Sequence, residues 1–346
     1  MLKPKALKEG SRVAAVSLSW GGPGTFPHRY QAGKKQIEEA FGITLVEMPH
    51  TLADPDWLYR NPKARASDLM MAFEDDSIDG IISTIGGDDS IRLIPYLDLD
   101  IIRANPKVFC GYSDTTVSHL LCYKAGLISF YGPAIMSGFA ENQGLHNYLK
   151  HSFYQATFVP EAVGYLEANK SGWTSDSSDW SIPENQYTVR PLSPSTGWNF
   201  LQGSGKHIGH LIGGCLEVLE MLRGTPAWPT AEQWQGAVLF IETSEEGPSP
   251  SVVQRALRSY AAEGVLSKLS GILIGRPGGD ISPHTFADYD HAIIQVIRDE
   301  LELTDLPIIS GMDFGHTDPM MTLPIGVQVE IDCDTETIKV LESAVI

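Results

Sequence analysis

Between residue 12 and about residue 160 the sequence alternates short apolar runs with amphipathic stretches, and few architectures accommodate that rhythm. Arg12–Ser19 reads as a buried strand, and Tyr30–Phe41 as a helix stopped by Gly42, whose tolerance of positive φ suits the position after a helix end. Ile43–Met48 is a second strand and Ser67–Phe73 lies in a helix. Gly80–Ile85 is a third strand that runs into Gly86-Gly87-Asp88-Asp89-Ser90. Ile91–Leu97 reads as helical, Val108–Tyr112 as a fourth strand, Thr115–Lys124 as its helix, and Leu127–Tyr131 as a fifth strand. Strands separated by helices of this length predict a mostly parallel sheet with helices on both faces.

The rhythm breaks over residues 165–200, where a polar, turn-rich segment carries Trp173 and Trp180. A plain linker seldom holds exposed indoles, so this segment reads as a loop or lid over a ligand. From about residue 201 a second α/β unit is expected. Val238–Glu242 and Gly271–Gly275 read as strands; Ser249-Pro250 opens a helix with Val253, Leu257 and Tyr260 on one stripe; Phe286–Leu301 reads as a long helix. Val327–Ile331 and Thr337–Leu341 flank a turn and predict a closing hairpin. The expected division is 1–164, a connecting lid at 165–200, and 201–346, and the 346-residue length allows two sizeable cores.

Charge narrows the partners. With 25 Lys+Arg against 43 Asp+Glu the chain carries a formal −18, which disfavours polynucleotides and anionic membrane surfaces. No apolar run approaches the ~18 residues of a membrane span, and the basic N-terminus lacks the apolar core of a signal peptide. Cys110, Cys122, Cys215 and Cys333 are scattered without ligand spacing, so four free thiols in a reducing cytoplasm are expected. His207 and His210 sit in β-like surroundings without a nearby third ligand and read as structural, and Cys110 reads as a small core residue inside its strand.

In a parallel sheet, ligands bind beyond the carboxyl ends of the strands. Two features fall there. Gly86-Gly87 could let backbone N–H groups approach a ligand, or could be only a tight turn; the GxGxxG and Walker spacings are absent. Ser113, in Gly111-Tyr112-Ser113-Asp114, is either a helix N-cap or a nucleophile on a sharp strand-to-helix turn. A serine nucleophile needs a base and an orienting group. His316, in the loop Gly315-His316-Thr317-Asp318-Pro319, fits the first; Glu242, at the end of an apolar strand, fits the second or merely belongs to an acidic turn with Glu245 and Glu246.

Five blocks occur in one order: Ile85–Ser90, Gly111–Asp114, Gly209–Glu217, Phe240–Thr243 and Gly315–Pro319. In this the chain resembles the LD-carboxypeptidase family of serine peptidases, which includes muropeptide carboxypeptidases and microcin C immunity (MccF-like) proteins. The resemblance implies Ser113 as nucleophile, His316 as base, Glu242 as its orienting carboxylate, and an oxyanion hole from the backbone of Gly87 and Asp114. It implies a C-terminal domain with a β-rich core, a site in the interdomain cleft, no cofactor or metal, and a homodimer. The long 165–200 segment resembles the MccF-like branch, in which a loop tryptophan stacks on a nucleobase. Trp180 is the first match and Trp173 the second, with Gly86 and Asp88 as further substrate contacts. The implied substrates are aminoacyl-nucleotide amides or, alternatively, murein peptides. Cys215 departs from the Asn usual after Gly-Gly. A non-catalytic small-molecule binding protein is the reading of another class.

Overall fold

The computed structural model describes all of residues 1–346. Strands β1 (Arg12–Val16), β2 (Thr44–Glu47), β3 (Gly80–Ser83), β4 (Val108–Gly111) and β5 (Ser129–Tyr131) pair in parallel in the order 2-1-3-4-5. Alternate residues of β1 explain why helices cover both faces. Val13 and Ala15 pack with Tyr30 and Ile37 of the helix Pro27–Phe41, whereas Ala14 and Val16 pack with Leu69 and Phe73 of the helix Pro62–Glu74. The first of these helices ends as the sequence predicts, with Gly42 at φ 65°.

The second sheet is built from β6 (Gly164–Leu166), β7 (Asn199–Gln202), β8 (Lys206–Cys215), β9 (Ala237–Glu242), β10 (Gly271–Gly275), β11 (Ile308–Met312), β13 (Gln328–Asp332) and β14 (Thr337–Val340). Its order is 6-14-13-8-9-10-11-7. The centre, β8 to β11, is parallel, and antiparallel strands flank it on either side. The expected hairpin forms as β13 and β14. The short strand β12 (Leu323–Ile325) leaves this unit altogether and pairs antiparallel with β5, closing the edge of the first sheet.

Three sequence readings needed revision. Ile91–Leu97 is a tight 3-10 stretch, Ser90–Tyr96, with Pro95 inside it. The expected helix 286–301 is α-helical only over Phe286–Ile294 and widens into π turns over Gln295–Glu300. The buried residues do not divide into one core per sheet. One cluster of 69 runs through both sheets, and a second of 16 covers the remaining face of the first. No helix is long and apolar enough to cross a membrane.

Candidate active site

The carboxyl ends of β1, β3 and β4 open on one cleft, where the order 2-1-3 reverses direction and leaves a crevice. Arg65, fully buried, forks onto Asp89 at 2.6 and 2.9 Å and also donates to the carbonyls of Leu18 and Ser19. That fork ties the loop after β1 to the loop after β3 and fixes the crevice walls.

Ser113 sits on the turn between β4 and the helix Thr116–Lys124 at φ 60°, a left-handed conformation that costs a non-glycine residue about 1–3 kcal/mol. Its main chain is held from both sides. The Ser113 N–H donates to the Tyr131 hydroxyl at 3.1 Å, and the Thr116 hydroxyl donates to the Ser113 carbonyl at 2.7 Å. The same Thr116 oxygen accepts the N–H of Cys215 at 3.1 Å, which pins the end of β8 to the serine turn. Ser113 makes no side-chain cap to its helix, so the N-cap role is not what the residue performs. Gly86 is required by proximity: a Cβ there would lie 2.8 Å from Ser113 Oγ and 3.4 Å from the Asp114 nitrogen. The N–H groups of Gly87 and Asp114 donate to no protein acceptor.

Across the cleft, Glu242 ends β9 and His316 follows β11, brought together because β9 and β11 flank β10 in the parallel centre. Glu242 Oε2 accepts from His316 Nδ1 at 2.6 Å, and its other oxygen accepts the Tyr131 hydroxyl. Tyr131 therefore bridges the serine turn and the buried carboxylate. His316 Nε2 lies 3.1 Å from Glu245 Oε2 and makes no hydrogen bond to Ser113. The Tyr112 ring packs 4.8 Å from the imidazole, with its hydroxyl on Ser137. Burial alone would lower the pKa of His316, but the two carboxylates outweigh it and push the group up to about 10. The hydrogen bond from His316 in turn holds Glu245 down at about 2.

The cleft has a volume of about 520 Å³ and is bounded by Gly86, Gly87, Ser113, His316, Trp180 and the loop segment Thr174–Asp179. The 165–200 segment forms this wall because it is riveted in place. Arg190 binds Glu141 through two nitrogens and reaches Asp318 at 2.7 Å, while Asn142 holds the carbonyls of Asn185 and Thr188. Trp180 is half-buried at the cleft edge, edge-on to Phe26 at 6.1 Å.

Two expected substrate contacts do not reach the cleft. Trp173 is 6% exposed, stacked on the Arg276 guanidinium at 4.7 Å and against Phe286, because the loop backbone bridges to Ser193 and turns the indole into the second unit. Asp88 is exposed and does not line the cleft. Asp114 contributes only its backbone N–H to this side; its buried carboxylate accepts from the Ser90 N–H at 2.8 Å. His207 and His210 point to opposite faces of β8, each bonded to a carbonyl, and Cys110 is buried in β4 with its thiol pushed up by burial. Cys215, Glu242 and His316 present ligand atoms within 4.8 Å of one another. Burial keeps the Cys215 thiol protonated and it donates to Glu217, while both Glu242 oxygens are engaged by Tyr131 and His316, so these side chains are already held by hydrogen bonds.

Tyr131 and the contact of Glu245 with His316 were not anticipated. Tyr131 stands abreast of Gly111 in the β4–β5 register, so it flanks the serine turn. That signal exists only once the strand pairing is known.

A strained serine, a buried carboxylate–imidazole pair and unpaired backbone donors around one cleft define a serine-hydrolase class of protein. Residues 13–132 match the family model for the LD-carboxypeptidase N-terminal domain, and residues 208–331 that for the C-terminal domain. The chain is 34% identical over 343 residues to the microcin C7 self-immunity protein MccF of Escherichia coli, covering 97% of this chain and 94% of the relative. Its fold is similar to an MccF-like protein from Streptococcus pneumoniae solved in complex with AMP, with TM-score 0.85, 30% identity, and 96% and 98% of the two chains covered. It is similar also to MccF solved with aspartyl sulfamoyl adenosine, with TM-score 0.83, 29% identity and full coverage of both chains. The chain belongs to the LD-carboxypeptidase family of serine peptidases and is MccF-like within it.

Proposed function

We propose that this protein is a serine amidohydrolase that cleaves the amide joining an aminoacyl group to a nucleotide-like leaving group. The observation that carries the proposal is the Glu242–His316 pair facing a conformationally strained Ser113 across the cleft. Ser113 Oγ attacks the acyl carbon while His316 Nε2 takes its proton, and the resulting oxyanion lies between the N–H groups of Gly87 and Asp114. His316 returns the proton to the departing nitrogen, which leaves an ester on Ser113 and a free amine or amide product. Water, deprotonated by the same imidazole, then attacks the ester, releasing the amino acid and restoring the serine. Glu242 holds the ring in one tautomer and stabilises its charge, and the Tyr131 hydroxyl keeps that carboxylate in place. Substrate entry replaces the Glu245 contact at Nε2 with the Ser113 hydroxyl.

The aminoacyl-nucleotide reading is supported by Trp180, whose half-exposed indole offers a stacking platform at the cleft edge, and by relatives solved with AMP and with aspartyl sulfamoyl adenosine. The test is incubation with an aminoacyl sulfamoyl adenosine and, separately, with a murein tetrapeptide. Turnover of the first is expected, with loss of at least ~10³-fold in the Ser113→Ala variant at unchanged melting temperature. Ser113 Oγ has no hydrogen-bond partner, so its removal should cost the fold little. Cleavage of the tetrapeptide alone would transfer the enzyme to murein, and near-wild-type activity of Ser113→Ala would refute the mechanism.

A further inference from the structure

Arg29, on the helix Pro27–Phe41, lines the cleft while only 4% of its surface is exposed. Its Nε donates to the Met136 carbonyl at 3.0 Å, and Nη1 donates to Asn142 Oδ1 at 2.6 Å and Gln186 Oε1 at 2.8 Å. All three acceptors are neutral. Nη2 has no protein acceptor, and no carboxylate comes within ion-pair distance of the side chain. Arg190, the other arginine of the cleft, is saturated by Glu141 and Asp318. An uncompensated buried guanidinium is costly, and in a chain of net charge −18 a carboxylate partner would be easy to supply. Burial and the neighbouring Arg190 lower its pKa to about 10, against the partial relief from Glu141 and Asp318. The Trp180 ring lies 5.0 Å from the guanidinium carbon, so the arginine plane is fixed beside the stacking platform.

We infer that Arg29 is the oxyanion-recognition residue of the cleft, presenting its unpaired guanidinium edge to an anionic oxygen group of the substrate. The group is a phosphoryl or sulfamoyl next to a nucleoside, or the terminal carboxylate of a peptide; both offer oxygens that accept charge-assisted hydrogen bonds from the free Nη2. The inference rests on the hydrolase reading for its substrate but not on the serine mechanism, so binding can test it without turnover.

The experiment is calorimetric titration of wild-type, Arg29→Gln and Arg29→Lys protein with AMP, with adenosine, with a murein tetrapeptide and with that peptide's C-terminal amide. Wild type is expected to bind one anionic ligand at least 10-fold more tightly than its neutral counterpart, and the pair that shows this names the source. Arg29→Gln should erase that preference, weakening the anionic ligand ~10- to 100-fold and leaving the neutral one unchanged. Arg29→Lys should keep part of it, as a point charge that cannot be anchored to Met136, Asn142 and Gln186 while it reaches the ligand. Retained binding of the neutral ligand, with an unchanged circular dichroism spectrum, shows that the variant is folded. Equal weakening of both ligands, no weakening of either, or no anion preference in wild type overturns the inference. Failure of Ser113→Ala to abolish turnover would instead strike the hydrolase mechanism and leave this result standing.

Discussion

Glu245 lies 3.1 Å from the nitrogen that must accept the serine proton, and its neutralisation should shift the pH dependence of the enzyme in a calculable direction. His316 is held between Glu242 beneath and Glu245 above, with the Tyr112 ring and Ser113 completing its surroundings. Two carboxylates stabilise the imidazolium and so keep the base protonated in the free protein. The Glu245 side chain is 72% exposed, so the interaction must be valued in a water-like dielectric. A unit pair at that separation is then worth about 1.3 kcal/mol, or about one pKa unit. In Glu245→Gln the folded pKa of His316 falls, and the neutral base becomes available at lower pH. The acid limb of the kcat/KM profile should therefore move down by about one pH unit. Below the limb kcat/KM should rise up to ~10-fold, and above it the two enzymes should converge. The assay is kcat/KM on the aminoacyl sulfamoyl adenosine from pH 6 to pH 11, spanning both sides of the limb, in buffers of constant ionic strength. A limb that stays put, moves upward, or gives way to a uniform loss at every pH refutes the reasoning.

The two loop tryptophans should separate cleanly. Trp180→Ala is expected to raise KM for nucleotide substrates by the ~1–3 kcal/mol of a lost stack while the melting temperature holds, whereas Trp173→Ala should lower stability by about 3–5 kcal/mol in urea unfolding. Reversal of those two outcomes would show that the loop is placed otherwise. Tyr131→Phe strips the partner from the Ser113 N–H and from one Glu242 oxygen, both buried, so a stability loss of about 1–3 kcal/mol together with lower kcat is expected. An unchanged kcat would remove Tyr131 from the positioning of the site. The His316–Glu242 pair also ties stability to pH. The raised pKa of His316 contributes fully below its ordinary value of 6.5 and is lost as pH rises toward about 10, so the stability gap between wild type and His316→Gln should narrow over that window.

How much of this was legible beforehand differs by element. The five parallel strands and the Gly42 stop follow from patterning that any helix-strand alternation imposes, because buried strands must be apolar and helix ends need positive φ. Ser113, Glu242 and His316 lie at or after strand ends, where a parallel sheet places its ligands, so position and residue type mark them as candidates, and the resemblance chooses among the alternatives. Trp180 ranks ahead of Trp173 only through the family resemblance, not through any local pattern. Both sit in the same polar segment, and only the backbone bridge to Ser193 turns one indole inward.

The local sequence thus determines what depends on near neighbours: strand and helix periods, the turn that carries Ser113, and a net charge of −18 that disfavours polyanions. Contacts distant in the chain decide the rest. β12 joins the first sheet across 192 residues, from Tyr131 to Leu323, because an edge strand needs a partner whatever its place in the chain. Tyr131 reaches Glu242, 111 residues away, and Arg29 meets Gln186 across 157. Chemistry between such residues depends on distances of a few ångströms, and those distances exist only once both sheets have packed into one core.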